Sequence, residues 1–291
     1  MAVFFQNLIA GLETGSLYAL AALGLVLIFR TSDVINFAQG DMAMFSTFVA
    51  YRLMTGVGVP YFVAVILALI FALLLGYSVE RFVLRPAKKA NLVGKMIITL
   101  GLVMVLSGTA TALFGIDTYY MRKAVLLDNI QIGGVTIQPN AIFIILFTLF
   151  VMAVFSYLVN RTKMGIAIRA TAENETTAQL MGIKVNKVIS NSWMIATLMG
   201  ALAGILIAPV TNVSVTMMAE MHLKSFIAAV VGGFGSFVGP VVGGFLIGVM
   251  DNMVGYYISL NWKTTIVYAL LIAMLIFKPT GLFGKVHRKK V

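Results

Sequence analysis

Long apolar stretches dominate this sequence and limit the folds that are open to it. They run over residues 3–29, 33–54, 60–83, 96–115, 140–160, 188–210, 224–256 and 262–277. Most are long enough to cross a hydrocarbon layer of about 30 Å as an α-helix, which pairs its own backbone groups in lipid. Only 11% of the residues are charged, against about 25% in a soluble domain. We therefore predict an all-α, polytopic helical bundle, with one membrane domain over residues 1–291.

Basic residues indicate which ends of these stretches face the cytoplasm. Most of the 21 Lys and Arg residues fall in three groups: Arg81, Arg85, Lys88, Lys89 and Lys95; Arg161, Lys163, Arg169, Lys184 and Lys187; Lys278, Lys285, Arg288, Lys289 and Lys290. Cytoplasmic loops of membrane proteins are enriched in Lys and Arg, so we place all three groups inside. The C-terminus is then predicted to be cytoplasmic, and the N-terminus and the 116–139 loop to lie outside. The net charge of +11 thus reflects membrane orientation, and no nucleic-acid partner is expected.

Two of the stretches contain interruptions. Polar residues follow one another near the start of 33–54, and GGFGSFVGPVVGG lies in the middle of 224–256. Under this orientation both ends of 224–256 lie outside, so it either crosses twice as two short helices or enters the membrane and returns. Irregular backbone at this depth is tolerated only where it lines a cavity or is buried in protein. We expect about nine membrane elements, with the second and the Gly-rich pair short or broken.

Acidic residues inside apolar stretches indicate a candidate pathway for a polar solute. A carboxylate that faces lipid costs about 3 kcal/mol, so these side chains are expected to face protein or water. With the neighbouring amides, the candidates for the translocation pathway are Glu13, Asn36, Gln39, Asp41 and Asp251. The alternative for each is interhelical hydrogen bonding without substrate contact. Asp33, close to Arg30, is better explained by an interfacial position.

Small residues at four-residue spacing predict close contacts between helices. Gly11, Gly15 and Ala19 show this spacing in the first stretch, and Gly200 and Gly204 in the sixth. Such spacing lets two helix backbones approach each other. It predicts packing and does not identify a function.

The segment 161–187, RTKMGIAIRATAENETTAQLMGIKVNK, is the most informative polar part of the chain. It is too polar to enter the membrane, and much of it can form helix. One interpretation is a solvated connector. The other is a docking segment that inserts into a cytoplasmic partner and transmits its motion, which fits a chain that has no soluble domain of its own.

Residues for catalysis or for a metal site do not come together in the sequence. His222 is predicted to lie in an outer loop and His287 in the basic tail, so no His pair could hold a metal ion. There is no cysteine and no phosphate-binding loop of the Walker type. We therefore expect no cofactor, no metal and no catalytic activity of the chain itself. Transport would be driven by a partner ATPase or by an ion gradient.

Five motifs resemble, in order, those of one known family. GLETGSLYALAALGLVLIFR with VINFAQGDMAMF is followed by RPAKKANLVGKMIITLGL, by the 161–187 segment, by Ser225–Ser236 and by FKPTGLFG. Together they resemble the LivH-type permeases of branched-chain amino acid ABC importers. The similarity extends from about residue 7 to residue 284, which is nearly the whole chain.

The resemblance implies one subunit of a heteromeric importer in a bacterial or archaeal cell (inner) membrane. A LivM-like second permease would complete the pathway, two cytoplasmic ATP-binding subunits would drive it, and an extracytoplasmic substrate-binding protein would deliver the substrate. Membrane lipid is the other implied partner. The positions that match the family's ATPase-coupling element are Arg169, Ala172, Glu173, Asn174 and Gly182.

Single residues depart from the family pattern and leave the substrate open. Gln39 stands where the family often has His, while Asp41 and Asp251 stand where Glu is common. Branched-chain amino acids are the default substrate, and urea or short amides are the alternative within the family. An ion-coupled secondary transporter is the alternative outside it, since such proteins also contain interrupted helices. The 161–187 segment argues against that alternative.

Overall fold

The structure is a computed structural model that describes residues 1–132 and 134–284. Its helices are α1 (Ala2–Ser32), α2 (Gln39–Thr55), α3 (Tyr61–Ser78), α4 (Leu92–Phe114), α5 (Pro139–Arg161), α6 (Lys163–Glu173), α7 (Glu175–Leu180), α8 (Val185–Thr211), α9 (Ala219–Gly232), α10 (Val238–Tyr257) and α11 (Lys263–Phe277). The strands β1 (Ile130–Ile132) and β2 (Val135–Ile137) form an antiparallel hairpin. The basic residues Lys285, Arg288, Lys289 and Lys290, and His287, lie outside the described residues.

Within the described residues, six helices are long and apolar enough to cross a membrane. They are α1, α3 with its π-helical continuation Val79–Leu84, α4, α5, α8 and α10. The helix α11 is a shorter apolar helix, and α2 and α9 contain 17 and 14 residues. The prediction of an all-α polytopic membrane protein is confirmed. The small β-hairpin in the 116–139 segment was not predicted.

Both interrupted stretches are broken where the sequence predicted. The first helix ends at Ser32, Asp33 has a φ of 50°, and α2 begins at Gln39. In the Gly-rich stretch, α9 ends at Gly232 and α10 begins at Val238. Gly233 follows α9 with a φ of 101°, a conformation that glycine adopts without steric cost. The 224–256 stretch therefore consists of two helices.

The chain divides into two compact units. The first unit contains Met1–Val26, Val125–Val151 and the described residues from Leu223 onward. In it, the glycine face of α1 packs directly on α10: a Cβ on Gly248 would clash with the backbone of Gly15, and one on Gly244 with Ala19. The predicted close contact of Gly11, Gly15 and Ala19 is thereby confirmed.

The second unit contains Leu27–Ala124 and Met152–His222 and is built around α2, α3 and α8. Small residues again allow close approach, because a Cβ on Gly204 would lie 2.7 Å from the hydroxyl of Thr47, and one on Gly76 would lie 2.8 Å from the carbonyl of Trp193. Trp193 is fully buried in an apolar core with Met42, Val79 and Ile189. This core fixes the position of α2, the helix that carries two of the candidate pathway residues.

Candidate translocation pathway and coupling loop

Side chains hold the turn between α1 and α2 in its non-helical form. The buried Asn36 accepts the N–H of Ala38 through Oδ1 at 3.1 Å. From α4, the hydroxyl of Thr99 lies 3.2 Å from the carbonyl of Ile35 and accepts the N–H of Phe37 at 3.4 Å. Backbone groups away from water need such partners. Asn36 therefore has a structural role in the turn, whatever else it contacts.

Gln39 begins α2 and is buried against α8. Its Nε2 lies 3.5 Å from the carbonyl of Ala196. Gly200, one helical turn further along α8, leaves space for the glutamine, since an added Cβ there would lie 3.5 Å from its Cγ. Both of these contacts join α2 to α8, so Gln39 has an interhelical role.

Asp41 lies in the first turn of α2 and borders a cavity of about 260 Å³. Its half-buried carboxylate accepts the hydroxyl of Ser107 on α4 at 2.6 Å. Within residues 1–132 and 134–284, no Lys or Arg forms an ion pair with it. The cavity lies within the second unit, and besides Asp41 and Ser107 its lining includes Met44, Val103, Met218 and His222.

His222 occupies a position that the sequence did not predict. The expected loop is wrong at this residue, because His222 lies in the first turn of α9. A Cβ on Gly40 would lie 2.8 Å from the Cβ of His222, so this close approach requires glycine at position 40. Glu220, His222 and Lys224 are polar and alternate with other residues. They interrupt the apolar pattern, so the start of α9 was not predicted. The structure brings His222 and Asp41 to the same cavity.

Asp251 has a different environment, in the first unit. It is 2% exposed, and its two carboxylate oxygens lie 2.8 and 2.9 Å from Nζ of Lys224 on α9. Nζ of Lys263, which begins α11, lies 3.1 Å from Oδ2. One carboxylate thus joins α9, α10 and α11. Lys224 was missed as its partner, although a Lys inside an apolar stretch is a signal for a buried ion pair.

Glu13 lies on α1, in the first unit, and is half-buried. Its backbone carbonyl accepts the hydroxyl of Ser16 at 2.8 Å. The five predicted pathway residues therefore fall into two sets: Glu13 and Asp251 in the first unit, and Asn36, Gln39 and Asp41 in the second.

A further buried carboxylate, Glu80, was not singled out from the sequence. It lies in the π-helical segment Val79–Leu84, and its Oε2 is 2.6 Å from Nη2 of Arg85. The hydroxyl of Ser190 on α8 donates to the same oxygen at 2.7 Å. Rare π-helical turns often mark functional positions. In this protein the turn brings Glu80 and Arg85 together, and both contact α8.

The 161–187 segment folds as two short helices whose shape depends on side-chain caps. Thr162 accepts the N–H of Gly165 at 3.1 Å at the start of α6, and Asn174 accepts the N–H of Thr177 at 2.8 Å at the start of α7. Gly182, with a φ of 83°, allows the turn that leads into α8. The expectation that much of this segment forms helix is confirmed.

The residues proposed for coupling do not all face the same way. Arg169 donates to the carbonyl of Val159 at 2.9 Å and to Oδ1 of Asn160 at 3.2 Å, so it ties α6 to the end of α5. Ala172 is half-buried, whereas Glu173 is exposed. The apolar residues Leu180 and Met181 are 83% and 79% exposed at the end of α7. The segment thus has an internal framework and a partly apolar tip.

A comparison with known families identifies the family of this chain. The model of the family described as "Branched-chain amino acid transport system / permease component" matches residues 7–275. The chain belongs to this family. It is therefore a multi-pass membrane permease component of an ABC transport system, without catalytic activity of its own, and its family implies ATPase and binding-protein partners. The resemblance seen in the sequence motifs is confirmed.

Two of the similar proteins align with nearly the whole chain, and a third aligns with most of it. The "high-affinity branched-chain amino acid transport system permease protein LivH" of Salmonella typhimurium is 29% identical over 99% of this chain and 98% of its own length. The corresponding protein BraD of Pseudomonas aeruginosa is 30% identical with the same coverage. The "ribose import permease protein RbsC" of Haemophilus influenzae is 25% identical over 78% of this chain and 69% of its own. No solved structure matches the chain.

Proposed function

We propose that this permease forms the translocation pathway for branched-chain or closely related amino acids in a heteromeric ABC importer. The observation that carries the proposal is the family match over residues 7–275, supported by two relatives named for high-affinity branched-chain amino acid transport that align along nearly their whole length. A LivM-like second permease, two cytoplasmic ATP-binding subunits and an extracytoplasmic substrate-binding protein complete the importer in this proposal.

The proposed topology has nine membrane elements, which are α1 to α5 and α8 to α11 within the described residues. The N-terminus lies outside, and the 161–187 segment and the C-terminus lie in the cytoplasm. Because the chain has no cysteine, single cysteines can test this topology directly. A membrane-impermeant maleimide added to intact cells should label Asn129→Cys, in the exposed loop before β1. It should label Gln179→Cys on α7 only after the cells are opened, and the reverse pattern would refute the topology.

Within the pathway, we propose that Asn36, Gln39 and Asp41 support or line the route of the substrate in the second unit, and that Glu13 does so in the first. The break between α1 and α2 supports this role, since irregular backbone in a membrane lines a cavity or is buried in protein. Asp251 remains a candidate from the sequence. Its ion pairs with Lys224 and Lys263 favour a role in joining helices.

For coupling, we propose that the 161–187 segment docks on an ATP-binding subunit. Arg169, Asn174 and Gly182 would shape the segment, whereas Ala172 and Glu173 would face the partner. The exposed Leu180 and Met181 support the proposal, because adjacent apolar side chains in an aqueous loop are typical of an interaction site.

A charge reversal at Glu173 tests docking, and the amount of permease in the membrane is measured with it because Glu173 also interacts electrostatically with Arg30. We expect Glu173→Arg to abolish substrate uptake while the permease reaches the membrane in normal amount, because a cation replaces an exposed acidic group at the proposed contact. Asp128→Arg makes the same change at an exposed loop residue outside the segment and should leave uptake unchanged. Normal uptake by Glu173→Arg would contradict the coupling role.

The composition of the importer can be tested by purification from native membranes in mild detergent. We expect the permease to copurify with a second permease and an ATP-binding subunit, and ATP hydrolysis to rise when a substrate-loaded binding protein is added. A permease that purifies alone or only with copies of itself, without ATPase activity, would contradict the proposed function.

A further inference from the structure

The cavity beside Asp41 combines the three kinds of group that recognise an aliphatic amino acid. Asp41 supplies a carboxylate without an ion-pair partner among the described residues, and Ser107 holds it in place through the 2.6 Å hydrogen bond. His222 supplies a ring N–H that can donate to a carboxylate. Met44, Val103 and Met218 supply an apolar surface.

We propose that this cavity is a holding site for one zwitterionic, aliphatic amino acid during its passage through the permease. The substrate ammonium group would pair with Asp41, its carboxylate would accept a hydrogen bond from His222, and its side chain would lie against Met44, Val103 and Met218. This inference rests on the proposed function and deepens it. It adds that the permease itself recognises the two charges of its substrate.

The size of the cavity and its charge balance support this assignment. Its volume of about 260 Å³ is many times the minimum of about 10–15 Å³ that one water molecule needs, so the cavity has room for a small amino acid. A half-buried carboxylate is more stable beside a positive group than beside a hydroxyl alone. A sugar or urea carries no ammonium group and cannot supply this charge.

Gly40 and Ser107 give the site its geometry. Because residue 40 is glycine, the first turn of α9 lies against the first turn of α2 and places His222 at the cavity. Ser107 on α4 orients the Asp41 carboxylate from another side. The recognition groups thus come from α2, from α4, and from Met218 with the first turn of α9 that follows it. A shift of that turn relative to α2 would open or close the site.

Equilibrium binding to the assembled importer tests the proposal. The importer is placed in lipid nanodiscs without its binding protein, and binding of tritiated leucine is measured with two competitors. These are 4-methylpentanoate, which lacks the ammonium group, and 3-methylbutylamine, which lacks the carboxylate. We expect saturable leucine binding at millimolar concentration or below, and each competitor to bind about tenfold or more weakly than leucine, as loss of one charged hydrogen bond implies.

Variants connect this binding to the named residues. Asp41→Asn should weaken leucine binding about tenfold or more while leaving binding of 4-methylpentanoate nearly unchanged. Val103→Phe, which fills the apolar side, should weaken binding of leucine more than binding of alanine. Asp117→Asn makes the same carboxylate-to-amide change at an exposed residue and should bind like the wild type. If the importer with Asp41→Asn fails to assemble, the leucine affinity of Val103→Phe tests the proposal instead.

The outcomes separate this inference from the proposed function. Wild-type importer that takes up leucine with ATP and binding protein, but shows no saturable binding by itself, would overturn the holding site and leave the proposed function intact. Unchanged leucine affinity in both Asp41→Asn and Val103→Phe would overturn it equally. Failure of the proposed function would instead appear as an absence of ATP-driven uptake in the wild type.

Discussion

Asp251 and Asp41 both interrupt apolar helices, but their surroundings differ. Asp251, in the first unit, is 2% exposed and lies within 3.1 Å of the ammonium groups of two lysines. Asp41, in the second unit, is half-buried, accepts one hydroxyl and borders a cavity. The charge of Asp251 is therefore balanced within the fold, whereas Asp41 has space beside it for a positive group.

This difference shows that a carboxylate in an apolar stretch does not by itself mark a transport site. A buried charge needs a partner, and the identity of that partner separates a structural role from a functional one. Where the fold supplies the partner, as Lys224 does, the pair joins helices. Where the described residues supply hydrogen bonds but no cation, as at Asp41, a substrate can complete the pairing.

The largest effect is expected from Asp251→Leu, which leaves Lys224 buried without its carboxylate. Breaking a buried ion pair costs about 3–5 kcal/mol, so the variant should lose most of its thermal stability and accumulate poorly in the membrane. Detergent melting curves measure this. Adding Lys224→Met should restore part of the stability, because two apolar side chains replace the pair. If Asp251→Leu melts like the wild type, the ion pair does not join the helices.

A smaller effect is expected from Glu80→Gln, which tests whether ion-paired carboxylates in the second unit are also structural. The change weakens the charged hydrogen bonds to Arg85 and Ser190, for an expected loss of about 2 kcal/mol. Glu175→Gln is the matched control, since its ion pair with Lys88 is partly exposed and such pairs contribute less than about 1 kcal/mol. Equal melting temperatures for the two variants would show that the buried ion pair of Glu80 stabilises the fold no more than the exposed pair of Glu175.

The smallest effect on stability is expected from Asp41→Asn. Asparagine keeps an oxygen that can accept the hydroxyl of Ser107, so the stability loss should stay below about 1 kcal/mol. Leucine uptake should nevertheless fall about tenfold, since the positive end of the substrate loses its partner. If Asp41→Asn is strongly destabilised, or if it transports leucine normally, then Asp41 does not differ from Asp251 in the way proposed here.

The main elements of the fold could be predicted from the sequence, because segments that lie in lipid must be apolar and helical. The long apolar helices, the break before Gln39 and the break after Gly232 were all predicted from local pattern. The start of α9 was not, since Glu220, His222 and Lys224 interrupt the apolar pattern within one helical turn. The hairpin of β1 and β2 lies in a segment whose polarity predicted only a loop.

The candidate sites were harder to predict from the sequence, because their geometry depends on partners that are far apart along the chain. Lys224 and Asp251 are 27 residues apart, and Glu80 and Ser190 are 110 residues apart. The cavity beside Asp41 requires the approach of α9 to Gly40, which local composition does not encode. The helical part of the 161–187 segment was easier to predict, since its caps Thr162 and Asn174 act on residues three positions away.

Leucine uptake by proteoliposomes tests the role of this permease most directly. The importer that contains it is reconstituted with ATP inside the vesicles and binding protein outside, and uptake of labelled leucine is followed. We predict uptake that requires ATP, requires the binding protein and is unaffected when ion gradients are collapsed. Uptake by the permease chain alone, driven by a proton or sodium gradient without ATP, would contradict its assignment as an ABC importer subunit and favour an ion-coupled transporter.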